Sequence, residues 1–392
     1  MTTTAPTTAT AAPHAASQSQ PMFPPHLAAV LFAATSVIVG VIWDISWHRS
    51  IGRDTFWTPA HMGIYLGGIV AGVACGWLVL RTTFAGTDAD RRATVRFWGL
   101  SGPLGAWVAI WGAIAMITSA PFDNWWHNAY GLDVKILSPP HVLLALGFTG
   151  IQLGALLMLA ARQNDAAPGD PYARAYRWWF AYAAGLLVAN LSIMAFEYIG
   201  FPNAAHNALY YKVCAAAFPI LLVATARTST LRWPATTAAA VYMTVTILMI
   251  WILQLFPATP KLAPIYNAVD HFVPPPFPIL LVVPAFVIDL VLRRGAENDW
   301  ARAALAGIGF VVVLLAVQWY WTKFLVSPRS ENFVFGTGRW NYNNQPGPWQ
   351  YRFWGIRNNP LTVPSVVTAA AIAVAGSRVG LWWGTWMARV RR

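Results

Sequence analysis

Residues 26–46 read HLAAVLFAATSVIVGVIWDIS, an apolar run interrupted by one acidic residue, Asp44, near its end. A helix that crosses the hydrocarbon layer needs about 20 such residues, because each adds about 1.5 Å of rise. Nine similar runs follow, near residues 61–80, 98–119, 141–161, 178–199, 207–226, 234–255, 275–292, 303–322 and 363–386. The run at 275–292 is the shortest and follows the triplet Pro274-Pro275-Pro276. Composition agrees with this reading. Of 392 residues, 57% are hydrophobic and 10% charged, with a mean hydropathy of +0.48. A soluble domain carries about 25% charge, so this chain lacks the charge to coat a water-facing surface. The apolar runs are continuous rather than alternating, which excludes a transmembrane β-barrel. The expected fold is all-α: a polytopic transmembrane helical bundle of about ten spans.

The net charge is +12, from 26 Lys and Arg against 14 Asp and Glu. The arginines cluster in alternate loops: Arg81, Arg91, Arg92 and Arg96; Arg162, Arg174 and Arg177; Arg227 and Arg232; Arg293, Arg294 and Arg302; Arg389, Arg391 and Arg392. By the positive-inside rule that face is cytoplasmic, and both termini lie on it. The same placement accounts for the basic balance without nucleic acid as a partner; the partner is the lipid bilayer. The expected location is a bacterial inner membrane. Residues 1–25, rich in Thr, Ala, Pro and Ser and without Lys or Arg, read as a disordered tail. Cys75 and Cys214 fall inside apolar runs and read as small buried hydrophobes rather than as a disulfide or a thiolate metal site.

Chemistry collects on the opposite, periplasmic face. Six of the eight histidines lie there, together with Asp44, Asp123, Glu197 and Asp270. Two segments there repeat a pattern. Residues 43–61 read WDISWHRSIGRDTFWTPAH and residues 122–141 read FDNWWHNAYGLDVKILSPPH. Each runs aromatic-Asp-x-x-Trp-His, then Gly-x-Asp, then Pro-x-His or Pro-His. Asp and His at i and i+4 share one helix face. Pro59 and the Pro139-Pro140 pair suit the first turn of a returning helix, which puts His61 and His141 in that turn. Each corner would then gather one carboxylate and two imidazoles: Asp44, His48 and His61 in the first, Asp123, His127 and His141 in the second. Two His and one carboxylate form a facial ligand set that leaves coordination positions open. Ionisable groups at such a depth are costly, so two sets on one side point to metal binding rather than to interface anchoring.

Other polar groups keep two readings. Asp54 and Asp133 are either acceptors for the ligand imidazoles or loop caps. Glu197, Asn203, His206, Asp270 and His271 are either a third metal site or hydrogen-bonding partners of loop backbone. Asp289 pairs with Arg293 at i+4. Trp43, Trp47, Trp57, Trp125 and Trp126 beside the ligands are either interface anchors or a wall that keeps water from a metal. Residues 323–362 form a polar, aromatic loop that would cover this face or dock a soluble partner. There is no phosphate-binding loop, serine nucleophile elbow or haem-attachment motif.

The segment DISWHRSIGRDTFWTPAH resembles the signature of the C subunit of copper membrane monooxygenases, the particulate methane, ammonia and short-alkane enzymes. The family pattern is Asp-x-x-x-His, an Arg-Asp-Thr stretch and Thr-Pro-x-His. The second segment also resembles that subunit, with Asp123 where the family usually has Asn. The resemblance covers roughly residues 27–165. It implies copper at Asp44, His48 and His61 and again at Asp123, His127 and His141, the second set being the catalytic one. It further implies hydroxylation of a small apolar substrate, a hydrocarbon or ammonia, with dioxygen. An oligomer with a cupredoxin-like B-type chain, and with an A-type chain as a further candidate, would follow. The expected division is therefore a tail (1–25), a C-subunit-like domain (26–165) and a C-terminal membrane extension (166–392), whose stretch from His271 faintly resembles the A subunit. The alternatives are a non-catalytic membrane copper-binding protein for acquisition, storage or delivery, and a site for iron or zinc.

Overall fold

A computed structural model describes residues 23–52, 55–92, 94–131, 138–200, 202–259, 269–294, 298–338 and 359–391. Each of the ten apolar runs contains a helix. These are α1 (Pro25–Ser50), α2 (Pro59–Ala85), α4 (Leu104–Tyr130), α5 (Pro139–Asp165), α6 (Ala173–Met194), α8 (Ala208–Thr228), α9 (Pro234–Leu253), α10 (Val282–Arg294), α11 (Asp299–Leu325) and α12 (Val363–Met387). Two short helices, α3 (Asp88–Arg92) and α7 (Phe196–Ile199), lie between them. The protein is an all-α helical bundle. Among the described residues eight helices are long and apolar enough to cross a membrane. The other two are α6, whose first turns carry Arg174, Arg177, Trp178 and Trp179, and α10, which has only 13 residues.

The eighth run differs most from its apolar pattern. Residues 272–280 have no regular secondary structure, and the helix begins only at Val282. Prolines 274, 275, 276 and 278 carry no N–H and disfavour the α conformation before them. This strap is tied to α1 instead. Ser46 Oγ donates to Val273 O at 2.7 Å, Val273 N donates to Ser50 Oγ at 2.7 Å, and Arg49 Nη1 donates to Pro274 O at 2.6 Å.

Helices pack in a bilayer without a hydrophobic drive between them, so close backbone approach matters more. In the α4–α5 pair, a side chain at Gly112 would collide with Gly147 O and Ile151 N. Gly40 and Gly67 serve the α1–α2 pair in the same way, against Ile64 and Ala33 O. Two helix hairpins, α1–α2 and α4–α5, thus form the N-terminal part, and α5 continues onto α6.

One end of the bundle collects the arginine-rich connections. Asn164 Nδ2 donates to Met387 O and Val390 O, both at 2.8 Å, and Arg391 pairs with Asp165 at 3.0 Å. Phe23, before α1, meets Tyr172, before α6, with ring centroids 5.9 Å apart. Both ends of the described chain therefore lie together. The short hairpin Val95–Phe97 with Leu100–Gly102 lies between α2 and α4, turning through Trp98 and Gly99, both with positive φ.

Asp289 feels the charge of Arg293 but makes no hydrogen bond or close ion pair with it. It accepts hydrogen bonds from Ala235 N (3.2 Å), Thr236 N (2.8 Å) and Thr236 Oγ1 (2.7 Å), and so closes the N-terminus of α9. Arg293 Nη1 donates to Arg232 O at 2.9 Å and its guanidinium lies over the Trp233 ring. The orphan N–H groups that open α9 outcompete the local i+4 partner. Cys75 and Cys214 are buried free thiols.

Candidate metal centre

Both ligand segments fold as helix corners at the end opposite the arginine clusters. Asp44 and His48 occupy the last two turns of α1, and Asp123 and His127 the last turns of α4. Each helix exits on the repeated glycine: Gly52 has φ 104° and Gly131 φ 88°, a conformation that side-chain-bearing residues rarely adopt. Gly52 N donates to Trp47 O and Gly131 N to His127 O. The returning helices start on Pro59 and Pro139, so His61 and His141 stand in their first turns. Pro121 lies inside α4, two residues before Asp123, where it cannot donate to the helix ladder.

In the second corner Asp123 stands between two imidazoles. His127 Nε2 is 3.3 Å from Asp123 Oδ2 and His141 Nε2 is 3.3 Å from Asp123 Oδ1. One donor atom from each residue lies within 4.8 Å of the other two. Around a tetrahedral ion with bonds of about 2.0–2.1 Å, neighbouring donors lie about 3.3 Å apart. The donor set and its spacing fit a metal ion, and Asp123, His127 and His141 can hold one. Asp123 Oδ1 and the Nδ1 atoms of both histidines are buried without a hydrogen-bond partner among the described residues. Asp54 and Asp133, read as acceptors for the imidazoles or as loop caps, lie outside the described residues.

The first corner repeats the arrangement more loosely. His61 Nε2 is 3.3 Å from Asp44 Oδ1 and His48 Nε2 is 3.7 Å from Asp44 Oδ2. The His48 side chain is 47% exposed, against 22% for His127. Among the described residues only the second corner closes to the tight spacing.

Among the described residues the third cluster does not assemble. Asp270 Oδ1 pairs with its neighbour His271 Nδ1 at 3.2 Å, while His206 Nε2 meets Trp319 O at 3.4 Å. The side chain of Asn203 lies outside the described residues. The tryptophans divide by position. Trp57 is 73% exposed and Trp125 54%. Trp47 packs on Phe272 and Trp126 on Tyr130, with centroids 6.0 and 4.5 Å apart. The loop after α11 forms two short 3-10 turns, Pro328–Ser330 and Phe333–Phe335; residues 339–358 lie outside the described residues.

Sequence reasoning missed the fastening of the first corner. Ser46, Arg49 and Ser50 hold the outer end of α1 against the proline strap. Ser46 and Ser50 show the same i and i+4 spacing as the ligands, but their partner lies more than 220 residues away.

No family model, curated protein or solved structure matches the chain.

Proposed function

We propose that the protein is a copper-dependent membrane monooxygenase, a homologue of the C subunit, that hydroxylates a small apolar substrate with dioxygen. The observation that supports this most is the convergence of Asp123, His127 and His141 at 3.3 Å spacings in a corner repeated by Asp44, His48 and His61. Two imidazoles and one carboxylate leave coordination positions open. A copper ion held there would supply binding and reduction of dioxygen. The residues of this chain do the rest. Asp123 would lower the net positive charge of the bound ion.

In this reading the metal face is periplasmic and the arginine face cytoplasmic in a bacterial inner membrane. A cupredoxin-like B-type chain, and an A-type chain if residues 166–392 do not replace it, would complete an oligomer. A second reading, a non-catalytic copper carrier, draws on the half-exposed His48, a ligand that can pass metal to another protein. Incubation of purified membranes with labelled dioxygen and propane or ammonia, with a reductant, separates the two. The enzyme reading expects labelled oxygen in the product, lost on His127→Ala. Bound copper with no labelled product supports the carrier.

A further inference from the structure

A cavity of about 70 Å³ lies on the other side of α1 from the ligand corner. Its wall includes Ile42 and Ile45 of α1, Ile193 of α6, Tyr210 of α8, Tyr242 of α9 and Gln318 of α11, with the proline strap across it. Among the described residues no charged side chain lines it. Two wall residues keep buried oxygens without a hydrogen-bond partner among the described residues: Gln318 Oε1, on a residue 4% exposed, and Tyr210 Oη, on a residue 1% exposed. The Cys214 thiol beside Tyr210 is only a weak partner. Ser192 and Tyr242 add two neighbouring hydroxyls, and Tyr242 Oη already accepts from Ile279 N at 3.1 Å.

Buried polar groups are almost always satisfied, by protein, water or ligand. These reach an otherwise apolar cavity from α6, α8, α9 and α11, and small-molecule sites set a few polar groups in an apolar lining. Its charge-free lining disfavours an ion, because a lone charge in low dielectric is costly. Its size sets the scale of the occupant. A cavity of about 150 Å³ holds benzene, so half that volume takes roughly three to five non-hydrogen atoms. We propose that this cavity binds a small neutral molecule of that size carrying a hydroxyl or carbonyl group, which Gln318 and Tyr210 hydrogen-bond while Ile42, Ile45 and Ile193 enclose its apolar part. The site is independent of the metal reading.

The test uses 1-propanol and the full chain in lipid nanodiscs, followed by saturation-transfer NMR. Binding above that of empty discs is expected, weakened about tenfold in Gln318→Leu through loss of one buried hydrogen bond. Ile193→Phe, which fills the chamber, should abolish it while the protein stays monodisperse and helical. Binding equal in wild type and Ile193→Phe would overturn the proposal. No binding above empty discs would overturn it too, leaving a chamber of water alone. Xenon uptake without propanol uptake would show a dry packing void and also contradict it.

Discussion

His141 Nε2 stands 3.3 Å from Asp123 Oδ1, across a corner whose two sides belong to different helices. His127 reaches the other oxygen of the same carboxylate from one turn along α4. The carboxylate is thus the hinge of the set, and its charge tunes what the set holds. Asp123→Asn keeps the shape and removes the charge. We expect this variant to retain bound copper but to favour the reduced ion relative to the oxidised one, since hard, negative oxygen donors favour the higher charge. Competition with chelators selective for each copper state measures the ratio. An unchanged ratio would show that the carboxylate does not touch the ion.

The corner depends on how closely α4 and α5 approach. Gly112→Leu should cost about 3 kcal/mol or more, because its side chain meets backbone atoms of Gly147 and Ile151 that cannot give way. Metal binding should fall with it, although no ligand has changed. A methyl group on Gly76 of α2 would meet no other atom within 4 Å, so Gly76→Ala should be neutral or stabilise by about 0.5–1 kcal/mol. Thermal unfolding in detergent compares the two.

Asp289 gives a stability prediction separate from the metal. Asp289→Ala leaves three donors at the start of α9 without their acceptor. A loss of about 2–3 kcal/mol is expected, from a lost cap and unpaired buried N–H groups. Arg293→Ala should cost less, since Arg293 makes no hydrogen bond or close ion pair with Asp289. Equal losses in unfolding experiments would restore the i+4 pair.

The helices of the first corner were legible in the sequence because two simple signals coincide: an apolar run long enough to span, and a proline at the start of the return. The Asp-His spacing likewise gave the shared face. Three things were not legible. The run after His271 is apolar like the others, yet four prolines keep residues 272–280 out of a helix, and its real anchorage is to Ser46 and Ser50. For Asp289, a local spacing rule lost to a helix start that only the tertiary fold brings near. The difference between the two corners was hidden as well, because identical spacings do not report how far His48 leans into solvent.

Orientation can be read from Trp57→Cys and Trp98→Cys, exposed positions at opposite ends of the bundle. The native cysteines are buried and should stay silent. A membrane-impermeant thiol reagent applied to intact cells should label Trp57→Cys and not Trp98→Cys. The reverse pattern would place the ligand corners in the cytoplasm.

The most direct measurement is the metal content of the purified protein, in wild type, Asp44→Ala and His127→Ala, after copper loading and removal of loosely held ions. Two equivalents of copper in wild type and about one in each variant are expected, because losing a ligand costs more than the roughly 10–100-fold that losing an outer partner does. A wild-type protein that retains no transition metal, or variants that retain as much as wild type, would contradict the account.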